Sequence, residues 1–555
     1  MVVLSKICAT AFLASSVFAA PAIPGPMAKF AEIKTAPTNW VNSGRADGSA
    51  MLQARIGIKQ KDITGLQQKL LDISNPNSAN YGKWLSQEQI QEYTAPDASH
   101  VAAITAWLTG AGIKNVSHNH DWIEFSAPIS QMESLLNAKY EWYTHVTSGA
   151  KLPRTQQYSI PKNLHGMIDV VTPTTALYHN LAPHEANTDG LTKRAGGATA
   201  TPDFIRQQYN VDYKSTGSQT IAVTSFQNVG ASHSDYSSFS QKYNRGLKDF
   251  RDIGVNGGSN NGDGSEAEGN LDTQYASALA APNPAEYLAV GPYDFGDGIL
   301  AFSQYLNSAS NPPSVVSSSY GDTESNYDGS YMDRACNEFM KAGSRGISIL
   351  FSSGDSGVGG NKQSSCSNGF YGLWPAVCPY VTAVGGTDII NGVEKVVDFG
   401  QYNKAVTSAG GGYSQHFTAP DYNANVTAAY AQSVDPATQQ MFNAGNRGFP
   451  DISLVSALYP TVINGKVGQL LGTSASSPAI AGMFSLINDY RKSKGQPTLG
   501  FLNPLLYSGK VDAAIRDVTE GNNYGCDSDG FYASTGWDAA SGLGTLDFAK
   551  FRSLV

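Results

Sequence analysis

The chain has little charge, and its second part has almost no histidine. Charged residues are 15% of its 555, against roughly a quarter in ordinary soluble domains. From Ala195 onward there are only two histidines, His233 and His416, and neither has the Gly-flanked, strand-end setting of a delivered base. Both read as ordinary surface histidines, so a Ser-His-Asp hydrolase is disfavoured. Long apolar runs are missing too. Nothing beyond the N-terminus reaches the ~18–20 apolar residues of a bilayer span. Cysteines number five, with no zinc spacing. Basic charge is in deficit: the net charge of -9 excludes a basic-faced nucleic-acid binder and a polybasic membrane-surface protein.

What is present describes a large exported protein. Hydrophobic residues are 41% and mean hydropathy is -0.25, enough for a sizeable core in a chain that is not disordered. At ~100–200 residues per domain, more than one domain is expected. Residues 1–19 read as a signal peptide. Lys6 supplies the positive start, Ile7 to Val17 is apolar and small, and Val17-Phe18-Ala19 is a small-residue cleavage site. Pro21 disfavours cutting after Ala20, so cleavage after Ala19 is expected. Cys8 leaves with that segment. Cys336, Cys366, Cys378 and Cys526 remain, which suggests two disulfides in any of three pairings. Sequons stand at Asn115 and Asn425.

The charge is unevenly spread. Through Arg194 there are 16 Lys+Arg and 14 Asp+Glu, and from Ala195 there are 21 and 32. Between the two parts runs a polar, Gly-rich stretch, His184 to Gly197, containing the dibasic pair Lys193-Arg194. The pair is either a solvated surface feature or a processing site, and the charge asymmetry favours processing. A basic prosegment can dock on an acidic enzyme and leave when carboxylates protonate.

Residues 20–180 read as a small α+β domain, which with the linker makes a unit of residues 20–194. Arg55 to Lys59 alternates like a strand, Ile63, Leu66, Leu70 and Leu71 recur at helical spacing, and Ser86 caps a helix. Val101 to Leu108 is a further helix and Trp122 to Phe125 a strand. Residues 195–555 alternate strands (Thr220–Phe226, Pro313–Ser318, Gly346–Ser352, Val381–Val384) with helices (Leu271–Leu279, Met332–Ala342, Pro478–Tyr490). That is an α/β domain with a doubly wound, mostly parallel sheet, whose site belongs at the carboxyl ends of the strands.

Several residues there could do chemistry. Ser474, in Gly472-Thr473-Ser474-Ala475-Ser476-Ser477-Pro478, precedes a small-residue helix whose N-terminus favours an oxyanion. Alone it is equally a Ser-rich helix cap. With no histidine to serve it, the base must be another group. Glu268 and Asp272 stand at i and i+4 on one helix face, where two acids repel, one pKa rises and the pair titrates as a unit in acid. The alternative is a solvated acidic face, with Asp263 and Glu266 nearby. Asp355, in Ser353-Gly354-Asp355-Ser356-Gly357 just after a strand, could donate to an oxyanion if protonated, or simply sit in a turn. Asp517-Val518 and Asp538, with Ser534-Thr535-Gly536-Trp537 between, offer carboxylates and turn carbonyls suited to Ca²⁺, in no EF-hand spacing.

Taken in order, these segments resemble the sedolisins, the serine-carboxyl peptidases that include secreted fungal tripeptidyl peptidases. The ordered set is Thr201-Pro202-Asp203, Glu268 with Asp272, Ser317 through Glu324, Ser353-Gly354-Asp355, Gly410 through Ser414, Arg447 through Ser453, Gly472-Thr473-Ser474, and Asp517 to Asp538. Tyr81-Gly82-Lys83 and Tyr158 through Thr174 are similar to the family prosegment. The resemblance implies a subtilisin-like fold behind an inhibitory propeptide. It implies Ser474 as nucleophile, Glu268 as general base, Asp272 as its orienting partner and Asp355 as the oxyanion-hole acid. It further implies one Ca²⁺ held by Asp517 and Asp538 with carbonyls of Val518, Ser534 and Gly536; Ser534 stands where relatives often carry Gly. It suggests Cys366–Cys526 and Cys336–Cys378. The expected enzyme is a monomer acting at acid pH on peptides, partnered by its own propeptide. Tripeptidyl release and endopeptidase cleavage are both open. A glycosidase using paired carboxylates would leave Ser474 and Asp355 without roles. An inactive binding homologue is the non-enzyme reading.

Overall fold

The computed structural model describes residues 25–33, 40–146, 149–177, 184–185 and 198–555, apart from 244, 262–265, 292–293, 362–364, 368 and 404–405. The proposed signal peptide and Lys193-Arg194 lie outside the described residues.

The N-terminal unit is built on β1 (Met51–Ile58), α1 (Ile63–Ser74), α2 (Gln87–Thr94), α3 (Ala98–Gly110), β2 (Ser117–Asn119), β3 (Trp122–Pro128), α4 (Ile129–Leu136) and β4 (Ile168–Thr172). The strands form one antiparallel sheet in the order β2-β3-β1-β4. In β1 the residues Leu52, Ala54, Ile56 and Ile58 alternate inward to meet Ile123, Phe125 and Ala127 of β3. That is the period-2 pattern of a sheet with one buried face. Ser86 makes a full capping box with Gln89.

The C-terminal unit is doubly wound around an eight-stranded sheet. Its elements are β6 (Ile221–Ser225), β7 (Arg251–Val255), α5 (Ala267–Ala280), β8 (Ala285–Val290), α6 (Phe295–Ser308), β9 (Val315–Ser318), α7 (Gly329–Ser344), β10 (Ser348–Ser352), β11 (Thr382–Ile390), β12 (Val393–Val396), β13 (Ile452–Val455), β14 (Tyr459–Ile463), β15 (Lys466–Leu471) and α8 (Thr473–Ser493). The order is β7-β8-β6-β9-β10-β11-β12, with β13 also on β11. All pairs are parallel except the edge hairpin β11–β12. The central strands are buried throughout, as expected when helices cover both faces. Preceding these, β5 (His184–Glu185) lies antiparallel on β15, His184 opposite Leu471 and Glu185 opposite Leu470.

One correction concerns α8. The sequence suggested a start at Pro478, but the helix begins at Thr473. Pro478 is the sixth residue of that helix and has no N–H to give the Ser474 carbonyl four residues earlier, so one helical hydrogen bond is lost there. That carbonyl instead accepts Ser319 Oγ at 3.3 Å.

The two units meet over α7. Arg334 has no exposed side-chain surface. It donates to the Ile58 carbonyl at 2.7 Å and pairs with Asp121 at 2.8 Å, Asp169 at 3.1 Å and Glu338 at 3.1 Å. The Trp122 ring covers it at 4.3 Å. Lys341 joins Asp121 at 2.7 Å.

Candidate active site

Glu268 and Asp272 lie one turn apart at the start of α5, 4% and 1% exposed. The helix start is wedged tightly. A Cβ on Gly269 would stand 2.2 Å from the Gly230 carbonyl oxygen, so only glycine fits. Asn270 Oδ1 accepts the Ser232 N–H at 3.0 Å and its Nδ2 donates to the Glu266 carbonyl at 2.9 Å. Ser474, in the first turn of α8, points its Oγ at Glu268 Oε2 across 3.4 Å. Ser319, just beyond β9, donates to Asp272 Oδ1 at 2.9 Å.

Burial, then the neighbouring Asp272, then Asp355 hold Glu268 well above its ordinary range. Burial raises Asp272 as well, against the Ser319 hydrogen bond, which lowers it. Each carboxyl shifts the other. Glu268 Oε1 and Asp272 Oδ2 are buried with no hydrogen-bond donor among the described residues. One proton held between them satisfies both, and two negative charges in this buried space would not be tolerated.

Asp355 follows β10 and is 2% exposed. Its Oδ1 accepts the Thr473 N–H at 2.7 Å and Thr473 Oγ1 at 2.9 Å, which ties it to the α8 N-terminus. Gly472 has φ 134°, and a Cβ there would approach Asp355 Oδ2 to 2.7 Å. Both facts demand glycine. Ser317 Oγ and Ser477 Oγ, 2.8 Å apart, fix α8 to β9. Ser474, Glu268, Asp272 and Asp355 thus come together at the carboxyl ends of the strands. Ser319 and Thr473 join them; the sequence showed both within motifs but gave them no role. The two histidines stand elsewhere, His233 between Asp249 and Asp252 and His416 on Asp333.

The second predicted cluster is also assembled locally. Asp517 accepts the Gly536 N–H at 2.9 Å, and Asp538 Oδ2 accepts the Ser534 N–H at 3.0 Å, so one loop spans both carboxylates. The Val518 carbonyl lies 3.5 Å from Ser541 Oγ, which also reaches Asp538. Burial pushes Asp538 up to about 7. Among the described residues no three His, Cys, Asp or Glu are gathered as a metal centre. The disulfides are Cys336–Cys378 and Cys366–Cys526, as the resemblance suggested.

The chain is similar to known proteins along its length. Residues 38–177 match the family profile "Pro-kumamolisin, activation domain", and residues 285–501 match "Subtilase family". Tripeptidyl-peptidase SED2 of Arthroderma otae is 30% identical, with 100% of both chains covered. Tripeptidyl-peptidase sed4 of Aspergillus fumigatus is 32% identical over 94% of this chain and 96% of its own. Tripeptidyl-peptidase 1 of Canis lupus familiaris is 31% identical over 94% of this chain and 95% of its own. Among solved structures, Pseudomonas sedolisin, a serine-carboxyl proteinase, superposes with a TM-score of 0.54 at 25% identity, covering 64% of this chain and 98% of its own. With an activation domain ahead of a subtilase fold and relatives along its whole length, the chain belongs to the sedolisin family of serine-carboxyl peptidases.

Proposed function

We propose that this chain is the precursor of a secreted, acid-acting peptidase that releases tripeptides from free N-termini. The observation that carries the reading is Ser474 Oγ facing the buried Glu268–Asp272 pair at 3.4 Å, with Asp355 tied to the same helix start. Relatives that bear the name tripeptidyl-peptidase along nearly their whole length support the tripeptide.

In this reading Ser474 Oγ attacks the scissile carbonyl carbon as Glu268 takes its proton. Asp272 holds Glu268 in place and shares the second proton of the site. Asp355, protonated, donates to the carbonyl oxygen as it becomes an oxyanion. Glu268 returns its proton to the leaving amine, the C–N bond breaks, and water then cleaves the acyl-enzyme by the same route. A carboxyl base of ordinary acidity would be too weak. Burial and like charge, which raise Glu268, bring it into the range where it accepts a proton in acid.

Residues 1–19 would be the signal, 20–194 the inhibitory propeptide and linker, and 195–555 the peptidase. Support comes from the activation-domain match and from β5, which lays the linker beside Gly472. Paired cysteines, and the lack among the described residues of any helix long and apolar enough to cross a membrane, suit secretion. Asn115 and Asn425 are exposed, as glycan acceptors must be.

One Ca²⁺ is proposed at Asp517 and Asp538 with the carbonyls of Val518, Ser534 and Gly536. An all-oxygen donor set suits this hard cation, and a buried carboxylate raised to about 7 is one that a cation would keep ionised. The ion would brace the loop and take no chemical step.

The test is to incubate acidified protein with a denatured polypeptide and read fragment masses. Tripeptides from free N-termini, and none from acetylated ones, are expected. Internal cuts that ignore acetylation would make it an endopeptidase, and no cleavage would overturn the reading.

A further inference from the structure

Arg154 of the N-terminal unit sits in an anionic seat on the C-terminal unit. Asp294 caps α6, its Oδ1 accepting the Asp297 N–H at 2.9 Å. Arg154 is ion-paired with Asp294 and reaches Asp297 at 4.0 Å. The three residues are 3%, 4% and 9% exposed in turn. Arg154 Nε donates to the Ala176 carbonyl at 2.7 Å, which orients the guanidinium into the seat. Thr172 Oγ1 donates to Asp297.

The seat lies on the catalytic side of the sheet. It follows the carboxyl end of β8. A ring cluster joins it to the centre: Phe295, next to Asp294, stands 6.4 Å from Tyr320, and Phe226 bridges them at 5.0 and 5.1 Å. Tyr320 adjoins Ser319, which touches both Asp272 and Ser474. The chain leaves the seat at Ala176-Leu177 and is next described at His184, opposite Leu471 and three residues from Ser474. Three extended residues cover about 10 Å.

Once the N-terminal unit leaves, the two carboxylates it covered lose their cation, and the vacated pair of like charges attracts another. We infer that Asp294 and Asp297 then receive the protonated α-amino group of the substrate, so that this seat measures three residues to Ser474. The α-ammonium is fully charged throughout the acid range and brings three donors to two carboxylates. In the precursor Arg154 occupies the same seat and excludes it. This rests on the tripeptidyl reading and adds the residues that enforce it.

The test uses matured wild type, Asp294→Asn and Asp297→Asn with a tripeptide reporter carrying a free or an acetylated N-terminus. The acetylated form brings no cation and is the reference for each enzyme. Wild type is expected to prefer the free form, and each Asn variant to lose about tenfold or more of that preference, chiefly through KM. Asn still caps a helix, and Asp294→Glu, which keeps the charge, should recover part of the preference. A wild type that prefers the free form while both Asn variants do so equally overturns this inference alone. A wild type with no preference overturns the tripeptidyl reading and this inference with it.

Discussion

Pro478 stands four residues after Ser474 in the same helix, so the Ser474 carbonyl has no helical N–H and is reached instead by Ser319 Oγ. The same hydroxyl touches Asp272. Ser319 therefore links the residue proposed as nucleophile to the carboxyl pair proposed to activate it, from a strand end that belongs to neither helix. Ser319→Ala removes a hydrogen bond that lowers Asp272. The expected result is a fall in kcat of about tenfold for one lost positioning hydrogen bond, little change in KM, and a high-pH limb displaced upward. An unchanged pH profile would reduce Ser319 to packing.

Ser474→Ala should be inert at acid pH and should remain full length apart from its signal. Loss of a nucleophile of this kind costs about a millionfold in the best-studied serine peptidase. Added mature wild type should still trim it. If the purified variant matured unaided, self-processing would be excluded.

The buried pair also sets how stability follows pH. Glu268 and Asp272 are both raised in the folded protein, while the unfolded carboxyls titrate near 4. Above about pH 4 the folded state therefore holds more protons, and stability falls as pH rises, by about 1.4 kcal/mol per pH unit for one retained proton. Melting curves of Ser474→Ala from pH 4 to 7 should show this slope, and Ser474→Ala/Glu268→Gln should flatten it.

These relationships were unequally legible in the sequence. Glu268 and Asp272 could be paired because helical spacing is local, and Ser474 could be suspected because small residues flank it. The scarcity of histidine left carboxylates as the candidate base. The start of α8 was misplaced because Pro478 looks like a first-turn residue, and only tertiary structure supplies Ser319 as substitute partner for the freed carbonyl. Arg154 with Asp294, and Trp122 over Arg334, join residues more than a hundred positions apart. No periodicity records such contacts.

Removing calcium should test the Asp517–Asp538 loop. A chelator is expected to lower the melting temperature by several degrees, in proportion to the binding free energy lost, and Asp538→Asn should abolish the chelator's effect. An unaltered melting temperature in the wild type would remove the ion from this site.

The contact between the units carries an opposite pH dependence from that of the dyad. Asp121 is buried, which alone would raise it, but Lys341 and Arg334 hold it well below the usual carboxylate range. Freed from the interface it would titrate near 4. A carboxylate depressed in the docked state contributes fully above that value and loses its contribution as pH falls toward the docked pKa. Docking should therefore weaken below about pH 4 and hold near neutrality. Asp121→Asn takes one partner from a buried network and leaves Arg334 and Lys341 to Glu338 and Asp169. Such a loss costs about 3–5 kcal/mol where wild-type Asp121 is ionised in both states. The variant precursor is expected to mature faster than wild type at pH 5–6, with the difference narrowing as pH falls below about 4, where the wild-type contribution of Asp121 is progressively lost. Gel time courses at each pH read this directly. Equal rates at pH 5–6 would place the acid trigger at other carboxylates, of which Asp294 and Asp297 beneath Arg154 are the next to substitute.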